Sequence, residues 1–343
     1  MKKLRVLALM HEALIPPDSI EGLTDKDMAP WKTEYDVLFT LEELGHESLI
    51  LGVCNELDPI GQTLRDWKPH IVFNLLEEFN GQATHIPYIL AYFELLKQPY
   101  TGCNPLGLSF AYNKALAKKL LSYHDIPMPR FQVFPREQSI QRPKHLSFPL
   151  IVKSDTDHGS VGISQASIVR GDRKLKERVE YIHDRIRTDA IVEEYIDGRE
   201  LYVGVIGNRH LQTLPIWEMF FPRLPDSAPR IATSKIKWDL NYQTKIGLKT
   251  RAATNLPRGV PERIARISKR VYRILGQSGY ARMDFRLAPD GGIYLLESNP
   301  RPDLAYGEDF AESAHKMGIR YEELIQRIVT LGLGYQRQQH NAG

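Results

Sequence analysis

The sequence is poor in cysteine, since only Cys54 and Cys103 occur among its 343 residues, far apart and in no metal-ligand spacing. This pattern is typical of two reduced structural thiols in a cytoplasmic enzyme. The net charge of +3 is small for the length, so the composition does not favour binding to nucleic acid or to a membrane surface. No stretch approaches the roughly 20 consecutive apolar residues of a membrane span. We therefore expect a soluble, cytoplasmic protein.

We expect the N-terminal segment to be a β-strand, and it is not followed by a dinucleotide-binding motif. Its first ten residues faintly resemble a signal peptide, but Arg5 interrupts the apolar run and His11 and Glu12 end it, so a first β-strand is the better interpretation. A nicotinamide-binding domain would place Gly-x-Gly-x-x-Gly directly after that strand. Residues 10–17 contain no glycine, which argues against a dehydrogenase. The sequence contains neither an internal repeat nor a low-complexity segment.

The first hundred residues alternate strands with helices. The apolar pattern predicts strands at residues 4–10, 47–51 and 71–75, and helices at residues 32–44, 59–67 and 84–96. Such alternation implies a parallel sheet with helices on its faces. The chain is 42% hydrophobic and 25% charged, as globular proteins are, and it is long enough for two or three lobes.

The rest of the chain shows a weaker pattern. We expect a helix from Ser109 that carries Lys114, Lys118 and Lys119, followed by a proline-rich joint between lobes at residues 127–143. Residues 148–206 are predicted to be rich in strands around one glycine loop, and residues 220–257 to form a long, polar active-site loop. The pattern then predicts a helix at 263–275, a β-hairpin formed by 280–287 and 292–298, and a last helix at 321–331.

A glycine loop follows one of the predicted strands. Residues 149–153 end on Lys153, and the small residues Gly159-Ser160-Val161-Gly162 come soon after. The backbone N–H groups of such a loop can approach phosphate oxygens closely, and Lys153 supplies the compensating charge. Many short glycine loops are merely hairpin turns, so this segment alone leaves both interpretations open.

A second strand, at residues 190–194, runs into a turn with acidic residues at both ends, Glu193, Glu194 and Glu200. A backbone edge in this position can read adenine, and a carboxylate such as Glu200 can hold ribose hydroxyls. A solvated acidic turn explains this segment equally well when it is taken alone.

The predicted hairpin carries the most specific pattern. Period-two alternation puts Arg282, Asp284 and Arg286 on one face of its first strand, and by the same count Glu297 and Asn299 share a face of the second. Oxygen ligands from Asp, Glu and Asn on paired strands suit Mg²⁺ bound to nucleotide phosphates. The alternative is a salt-bridge ladder that uses the two arginines, but it gives Asn299 no structural role.

In this order and at these spacings, the three segments resemble the ATP-grasp superfamily, and within it the D-alanine–D-alanine ligase branch. The resemblance covers nearly the whole length and extends to residues 71–77, 99–102 and 113–114. It implies an α/β protein with α+β lobes, in which an N-terminal Rossmann-like parallel-sheet domain precedes the ATP-grasp fold. The implied domains are residues 1–105 for substrate binding, 106–200 with the glycine loop, and 201–343 with the metal site and a mobile loop.

The resemblance also implies roles for individual residues. Arg282 would stabilise the transition state, and Lys237 would reach the γ-phosphate from the mobile loop, with Lys245 as the alternative. Within the ATP site, lysines would contact phosphates, Glu193 would read adenine together with the nearby backbone, and Glu200 would hold the ribose. The implied ATP-binding set is Lys114, Lys153, His158, Gly159, Ser160, Val161, Glu193, Glu194, Tyr195, Ile196 and Glu200. The implied metal ligands are Asp284, Glu297 and Asn299.

The implied activity joins a carboxylate to an amine, with ATP and Mg²⁺ as cofactors and Mn²⁺ as an alternative metal. The carboxylate first takes the γ-phosphoryl group of ATP, and the amine then attacks the acyl phosphate. The expected partners are amino-acid or small-peptide substrates, and a homodimer is the implied assembly.

The sequence departs from the family pattern around the expected substrate pocket. Family members have a glycine and a serine near the positions of Asp303 and Glu308, and a tyrosine where Trp238 follows Lys237. An acid at these positions would repel a free carboxylate. We therefore expect a substrate other than D-alanine.

The glycine-rich N-terminal loop of the family, which carries an amine-binding glutamate, is replaced here by His11 and Glu12. Glu12, Glu77 and Arg301 are therefore the candidates for substrate binding. Two alternatives stay open. One is D-alanine–D-alanine ligation in an unusual pocket, and the other is a regulatory or interaction protein that binds ATP without ligase activity.

Overall fold

The computed structural model of the protein describes residues 3–156, 162–225 and 229–340. Its first sheet is parallel, with strand order β2-β1-β3. The central strand is buried from Val6 to Met10 because helices cover both faces of the sheet. These elements confirm the predicted alternation. Their bounds are β1 (Arg5–His11), β2 (Glu47–Val53) and β3 (Ile71–Asn74).

The helices of the described chain are α1 (Asp25–Met28), α2 (Lys32–Glu43), α3 (Asp58–Trp67), α4 (Ile86–Leu95), α5 (Pro105–Ala111), α6 (Lys114–Tyr123), α7 (Asp172–Tyr181), α8 (Ser234–Trp238), α9 (Leu240–Ile246), α10 (Val260–Ile274), α11 (Asp309–Lys316) and α12 (Tyr321–His340). Two groups of them cover the parallel sheet. One face packs against α2, α11 and α12, and the other packs against α3, α4 and α5. Both ends of the described chain therefore contribute to one core.

A second sheet is antiparallel, with strand order β4-β7-β5-β6. The helix α7 packs Leu175 and Val179 against its apolar face. We predicted only strands and a loop between residues 148 and 206, so this helix corrects the prediction. Seven of its ten residues are charged, which hides the short apolar stripe. The strands are β4 (Phe131–Phe134), β5 (Leu150–Ser154), β6 (Ile168–Val169) and β7 (Ala190–Glu194).

The third sheet has six strands, ordered β11-β10-β8-β12-β13 with β9 beside β8. Its apolar face packs on α6 and α10, while its other face carries polar side chains. The predicted hairpin is confirmed as β12 and β13. The strands are β8 (Arg199–Ile206), β9 (Gln212–Thr213), β10 (Trp217–Phe220), β11 (Lys249–Ala252), β12 (Tyr280–Leu287) and β13 (Ile293–Asn299).

The described residues between 220 and 257 do not form one long polar loop. They contain α8, α9 and β11. Ile236 of α8 and Ile246 of α9 form a small core with Phe221 and Leu224. Asp239 ends α8 and caps α9 by accepting a hydrogen bond from the N–H of Tyr242 at 2.9 Å. The prediction of a long loop was therefore wrong for the residues that form α8, α9 and β11.

Two helix boundaries also differ from the prediction. The helix expected from Ser109 is two helices, because Asn113 leaves the helical conformation and accepts a hydrogen bond from the N–H of Leu116 at 2.7 Å as the N-cap of α6. The last helix extends to His340 rather than to residue 331.

The division into domains at 105/106 and 200/201 stays a prediction, and the second boundary falls within β8. None of the helices in the described part of the chain combines the length and apolar character needed to cross a membrane.

Candidate active site

The polar face of the third sheet gathers charged residues from three adjacent strands. The register places Arg282 beside Gly204, Asp284 beside Tyr202, and Arg286 beside Glu200. The intervening residues of β12, from Ala281 to Leu287, pack into the apolar core below. The predicted two-sided pattern of β12 is therefore confirmed.

A β-bulge brings the β13 residues onto this polar face. Asp284 pairs with Glu297, but Phe285 pairs with Leu295, so Leu296 is an extra residue between the two pairs. Simple alternation would put Glu297 and Asn299 on the same face as Leu295, which is buried in the apolar core. The extra residue reverses the face, and Glu297 and Asn299 instead lie opposite Asp284 and Arg282.

An ion pair fixes the centre of this group. Arg282 donates from Nε and Nη2 to the two oxygens of Asp284, at 2.7 and 2.8 Å. The guanidinium also lies over the ring of Tyr202, 4.5 Å from its centre. Burial alone would lower the pKa of Arg282, but Asp284 outweighs it and holds that pKa well above its ordinary value. Arg282 therefore stays charged and rigid.

Glu200 and Arg286 form a second buried pair on the same face. Arg286 Nη2 donates to Glu200 Oε2 at 2.8 Å, and Tyr202 donates its hydroxyl to Glu200 Oε1 at 2.8 Å. Arg286 also donates to the carbonyls of Gly198 and Arg230. Both oxygens of the carboxylate expected to hold ribose thus have protein partners, and each retains lone pairs.

The second sheet contributes a buried carboxylate between two lysines. Glu193 is 1% exposed, Lys153 Nζ donates to its Oε2 at 3.2 Å, and Lys118 Nζ lies 3.4 Å from its Oε1. Burial would raise the pKa of Glu193, but the two ammonium groups hold it below its ordinary value. Burial lowers the pKa of Lys118, while the carboxylates of Glu193 and Glu297 both act to raise it. The two lysines therefore balance the buried carboxylate and its acidic neighbour.

The remaining members of the predicted ATP set are dispersed around this pair. Lys114 begins α6, where its N–H donates to the carbonyl of Asp155 at 3.2 Å. Glu194 projects from the other face of β7 and accepts a hydrogen bond from the N–H of Ser147. Tyr195 and Ile196 follow on the strand end and are half-buried. The structure thus brings Lys153 and Glu193 together and separates Glu194 from them.

Some predicted residues lie outside the described part of the structure. These are His158, Gly159, Ser160 and Val161, together with the side chain of Lys237. The backbone of Lys237 lies in α8, whereas Lys245 lies exposed in the last turn of α9. The choice between the two lysines therefore stays open.

The three candidates for substrate binding lie near the carboxyl edge of the parallel sheet. Arg301 pairs with Glu77 at 3.5 Å and donates to the hydroxyl of Tyr112 at 3.3 Å. Glu12 is exposed in a short 3-10 helix after β1, and within the described residues no ion pair or hydrogen bond joins its side chain to Arg301. Arg301 and Glu77 therefore form an ion pair, whereas Glu12 is not bonded to Arg301.

Two residues in these clusters were not singled out from the sequence. Lys118 is buried on α6, although a lysine within a lysine-rich helix normally faces solvent. Lys118 lies four residues after Lys114, so both side chains are on one face of the helix. This spacing was the one feature of the sequence that could have indicated a shared role with Lys114. Glu34, in the first turn of α2, is 5% exposed and had no sequence signal at all.

Comparison with known proteins identifies the family of the chain. A family model described as D-ala D-ala ligase C-terminus matches residues 120–330. An uncharacterized protein, y4sG, of Sinorhizobium fredii is 30% identical over 315 residues, and the match covers 88% of each chain. The D-alanine–D-alanine ligase of Desulforudis audaxviator is 27% identical, and the match covers 90% of this chain and 95% of that one.

Solved structures support the fold. A crystal structure of D-alanine–D-alanine ligase from Bacillus anthracis, complexed with ATP, matches 98% of this chain and 99% of its own, with a TM-score of 0.75 at 21% sequence identity. The corresponding enzyme from Coxiella burnetii matches with a TM-score of 0.71 at 16% identity, covering all of this chain and 97% of its own. The chain therefore belongs to the D-alanine–D-alanine ligase family, within the ATP-grasp, ADP-forming class of ligases that make carbon–nitrogen bonds.

Proposed function

We propose that the protein couples ATP hydrolysis to the joining of a carboxylate and an amine, through an acyl phosphate, on amino-acid or small-peptide substrates. The observation that carries the proposal is the register of the bulged hairpin. It sets Asp284 opposite Glu297 and Arg282 opposite Asn299, on the polar face beside Tyr202. This face combines acidic metal ligands with a fixed guanidinium, as phosphoryl transfer requires.

The proposed nucleotide site includes the two lysines beside Glu193. Lys153 and Lys114 are assigned to the phosphates, and Glu193 with the backbone of Tyr195 and Ile196 to adenine. Glu200 is assigned to the ribose, where Arg286 and Tyr202 hold its carboxylate in one orientation. These assignments follow the family pattern, and the proximity of Lys153 to Glu193, at 3.2 Å, supports them.

The donor set of the hairpin fits Mg²⁺. Asp284, Glu297 and Asn299 offer only oxygen ligands, which hard divalent cations prefer. Asp284 retains lone pairs while it accepts from Arg282, and Asn299 does so while it accepts from the N–H of Arg301 at 2.9 Å. When bound there, Mg²⁺ or Mn²⁺ supplies charge neutralisation for the β- and γ-phosphates.

The chemistry then proceeds in two displacements. An oxygen of the substrate carboxylate attacks the γ-phosphorus, and the bond to the β-phosphate oxygen breaks to release ADP. The amine nitrogen attacks the acyl carbon, its proton passes to solvent, and the carbon–oxygen bond to phosphate breaks. Arg282, held by Asp284, is placed to stabilise the tetrahedral oxyanion, and a lysine of the α8–α9 segment is assigned to the γ-phosphate.

The substrate is proposed to differ from D-alanine, although relatives at 25–27% identity are named D-alanine–D-alanine ligases. Asp303 and Glu308 follow the metal-binding strand and place negative charge where a free carboxylate would have to bind. D-Alanine–D-alanine ligation and ATP binding without catalysis are the two alternatives, and a homodimer stays a prediction.

Measurement of ADP and phosphate release from ATP and Mg²⁺ tests the proposal, across a matrix of L- and D-amino acids and small dipeptides. One pair should stimulate release and yield a condensed product by mass spectrometry. Glu297→Gln should lower turnover at least about 100-fold, since it removes the negative charge and one oxygen of a proposed metal ligand. The exposed Glu262→Gln on α10 is the matched control and should retain full turnover.

Stimulation by D-alanine alone would establish the first alternative. Tight ATP binding with no stimulation across the matrix would favour the second. Unchanged turnover in Glu297→Gln would refute the metal site.

A further inference from the structure

A buried arginine lies against the end of the glycine loop. Arg178, on α7, is 9% exposed, and its Nη2 donates to the carbonyl of Gly162 and to the hydroxyl of Ser167, the second at 2.9 Å. The guanidinium also covers the ring of Tyr181, 4.2 Å from the ring centre. These contacts fix the position of Arg178 but bring no negative charge to it.

No carboxylate neutralises this arginine within the described chain. Among the residues that the structure describes, no Asp or Glu is close enough to form an ion pair with Arg178, and its Nε is buried without a hydrogen-bond partner. Burial lowers the pKa of Arg178, Tyr181 acts to raise it, and no acidic side chain contributes. Buried charges are normally paired with an opposite charge. Arg178 therefore remains available to an anion.

A cavity lies beside this arginine, between α7, the residues that follow the glycine loop, and the α8–α9 segment. Its volume is about 370 Å³, within the range of roughly 300–1,000 Å³ that ligand sites occupy. Arg178 and Lys235 are its two cations, and no described residue of its lining is an aspartate or a glutamate. The lining also includes four side chains with hydroxyl groups, Ser164, Tyr181, Thr233 and Ser234. The cavity thus offers positive charge and hydrogen-bond donors.

A hydrogen bond joins the walls that carry the two cations. The N–H of Ser234 donates to the carbonyl of Ile163 at 3.0 Å, and Ile163 directly follows the glycine that accepts from Arg178. Lys235 is the next residue after Ser234, and its ammonium lies 4.6 Å from the centre of the Tyr242 ring. Both cations therefore line one cavity from two different parts of the chain.

The cavity is separate from the proposed nucleotide site. The helix α7 packs against the face of the second sheet that carries Val152 and Val192. Lys153 and Glu193 are the next residues on the same two strands, so their side chains project from the opposite face. Of the described residues assigned to ATP, none lines the cavity. Arg178 therefore approaches from the other side of the sheet.

We propose that this cavity binds a phosphate group between Arg178 and Lys235, outside the nucleotide site. A phosphate supplies the negative charge that Arg178 lacks, and the hydroxyl groups of the walls donate to its remaining oxygens. The bound group joins the end of the glycine loop to α8. Inorganic phosphate and a phosphate monoester share this chemistry, whereas a metal cation finds no acidic ligand in the described lining.

Calorimetric titration of inorganic phosphate into the wild-type protein tests the proposal, in a phosphate-free buffer and with a saturating non-hydrolysable ATP analogue. The analogue fills the nucleotide site, so we expect phosphate to bind with and without it. O-Phospho-L-serine and acetate are titrated in the same way. Tighter binding of phosphoserine than of phosphate would identify a monoester as the ligand, and the reverse order would identify the free ion. Equal affinity for acetate would overturn the assignment to a phosphate group.

Three variants locate the bound phosphate. Arg178→Met should raise its Kd at least about 10-fold, the loss expected for one set of charge-assisted hydrogen bonds. Lys235→Met should raise the Kd about three- to fivefold, because an exposed ammonium contributes less. Lys176→Met, on the exposed side of α7, is the control and should change the Kd by less than twofold. Circular dichroism establishes that each variant is folded, and Lys235→Met tests the site even where Arg178→Met does not fold.

The outcomes separate this site from its alternatives. Loss of phosphate binding in the presence of the analogue would overturn the proposal, since the phosphate would then occupy the nucleotide site. Equal affinity in Arg178→Met, Lys235→Met and Lys176→Met would also overturn it, and Arg178 would then serve only to anchor the glycine loop. None of these measurements depends on turnover, so the ligase function is tested separately.

Discussion

The buried pair between Lys118 and Glu193 makes a sharp prediction for stability and nucleotide binding. Replacement of Lys118 by Met keeps the side-chain volume and removes a charge whose side chain is 5% exposed. At an effective dielectric constant of about 20, two charges 3.4 Å apart attract by about 5 kcal/mol before desolvation. Loss of one partner of a buried pair typically costs 3–5 kcal/mol, because the other charge is left uncompensated.

Lys153 reduces this cost. It remains 3.2 Å from the same carboxylate and still neutralises part of the charge. We therefore expect Lys118→Met to lower the unfolding free energy by about 2–3 kcal/mol. The same change should weaken ATP binding, since it removes one of the two lysines beside Glu193.

Urea unfolding and ATP titration measure the two effects. The neighbouring Lys119→Met is the control, since Lys119 is exposed on the same helix and its loss should change stability by less than about 0.5 kcal/mol. The double variant Lys118→Met with Glu193→Gln should recover part of the loss, because it leaves no unpaired charge. Equal stability of the Lys118 and Lys119 variants would refute the argument.

Two further predictions concern other buried charges. Because the pKa of Glu34 is about 7 in the folded protein and near 4.5 when unfolded, the folded state binds the proton more tightly, and the unfolding free energy should fall as pH rises from about 4.5 to 7. Glu34→Gln should remove this pH dependence and raise the unfolding free energy at pH 8 by roughly 3 kcal/mol. Urea unfolding at several pH values measures both effects. An unchanged dependence of the unfolding free energy on pH would contradict the raised pKa of Glu34. Arg286→Lys should cost about 2 kcal/mol, since lysine cannot reproduce the donors to Glu200 and two carbonyls, and exposed Arg263→Lys should cost nothing in the same thermal assay.

Much of the fold was readable because apolar periodicity determines it. The strands of the parallel sheet and the hairpin β12–β13 agree with the predicted ranges to within two residues at each end. The segment 220–257 was not readable, since Phe221, Leu224, Ile236 and Ile246 follow no helical or strand period. Such residues form a core only once tertiary structure brings them together.

The sequence predicted which residues belong to the candidate site, but not how they are arranged in space. Asp284, Glu297 and Asn299 were named from the sequence, yet strict alternation would place the last two on the wrong face. The bulge at Leu296 brings Glu297 and Asn299 onto the face that carries Asp284. No residue type in the sequence predicts a bulge of this kind. Neither Lys118 nor Glu34 was predicted to be a buried charge, because burial of a charge depends on packing partners that are distant in sequence.

The shared core between the parallel sheet and α12 has a consequence for biosynthesis. Leu324, Ile325, Ile328 and Val329 cover the same sheet face as Val6 and Ala8 in β1. During translation the sheet strands leave the ribosome first, and the face that α2 covers in part lacks the cover of α11 and α12 until nearly all of the described chain has been made. Contacts so distant in sequence form slowly, and exposed apolar faces aggregate. The nascent chain is therefore expected to depend on chaperones until α12 emerges, and ribosome-stalled chains ending before residue 324 should be protease-sensitive throughout the first sheet.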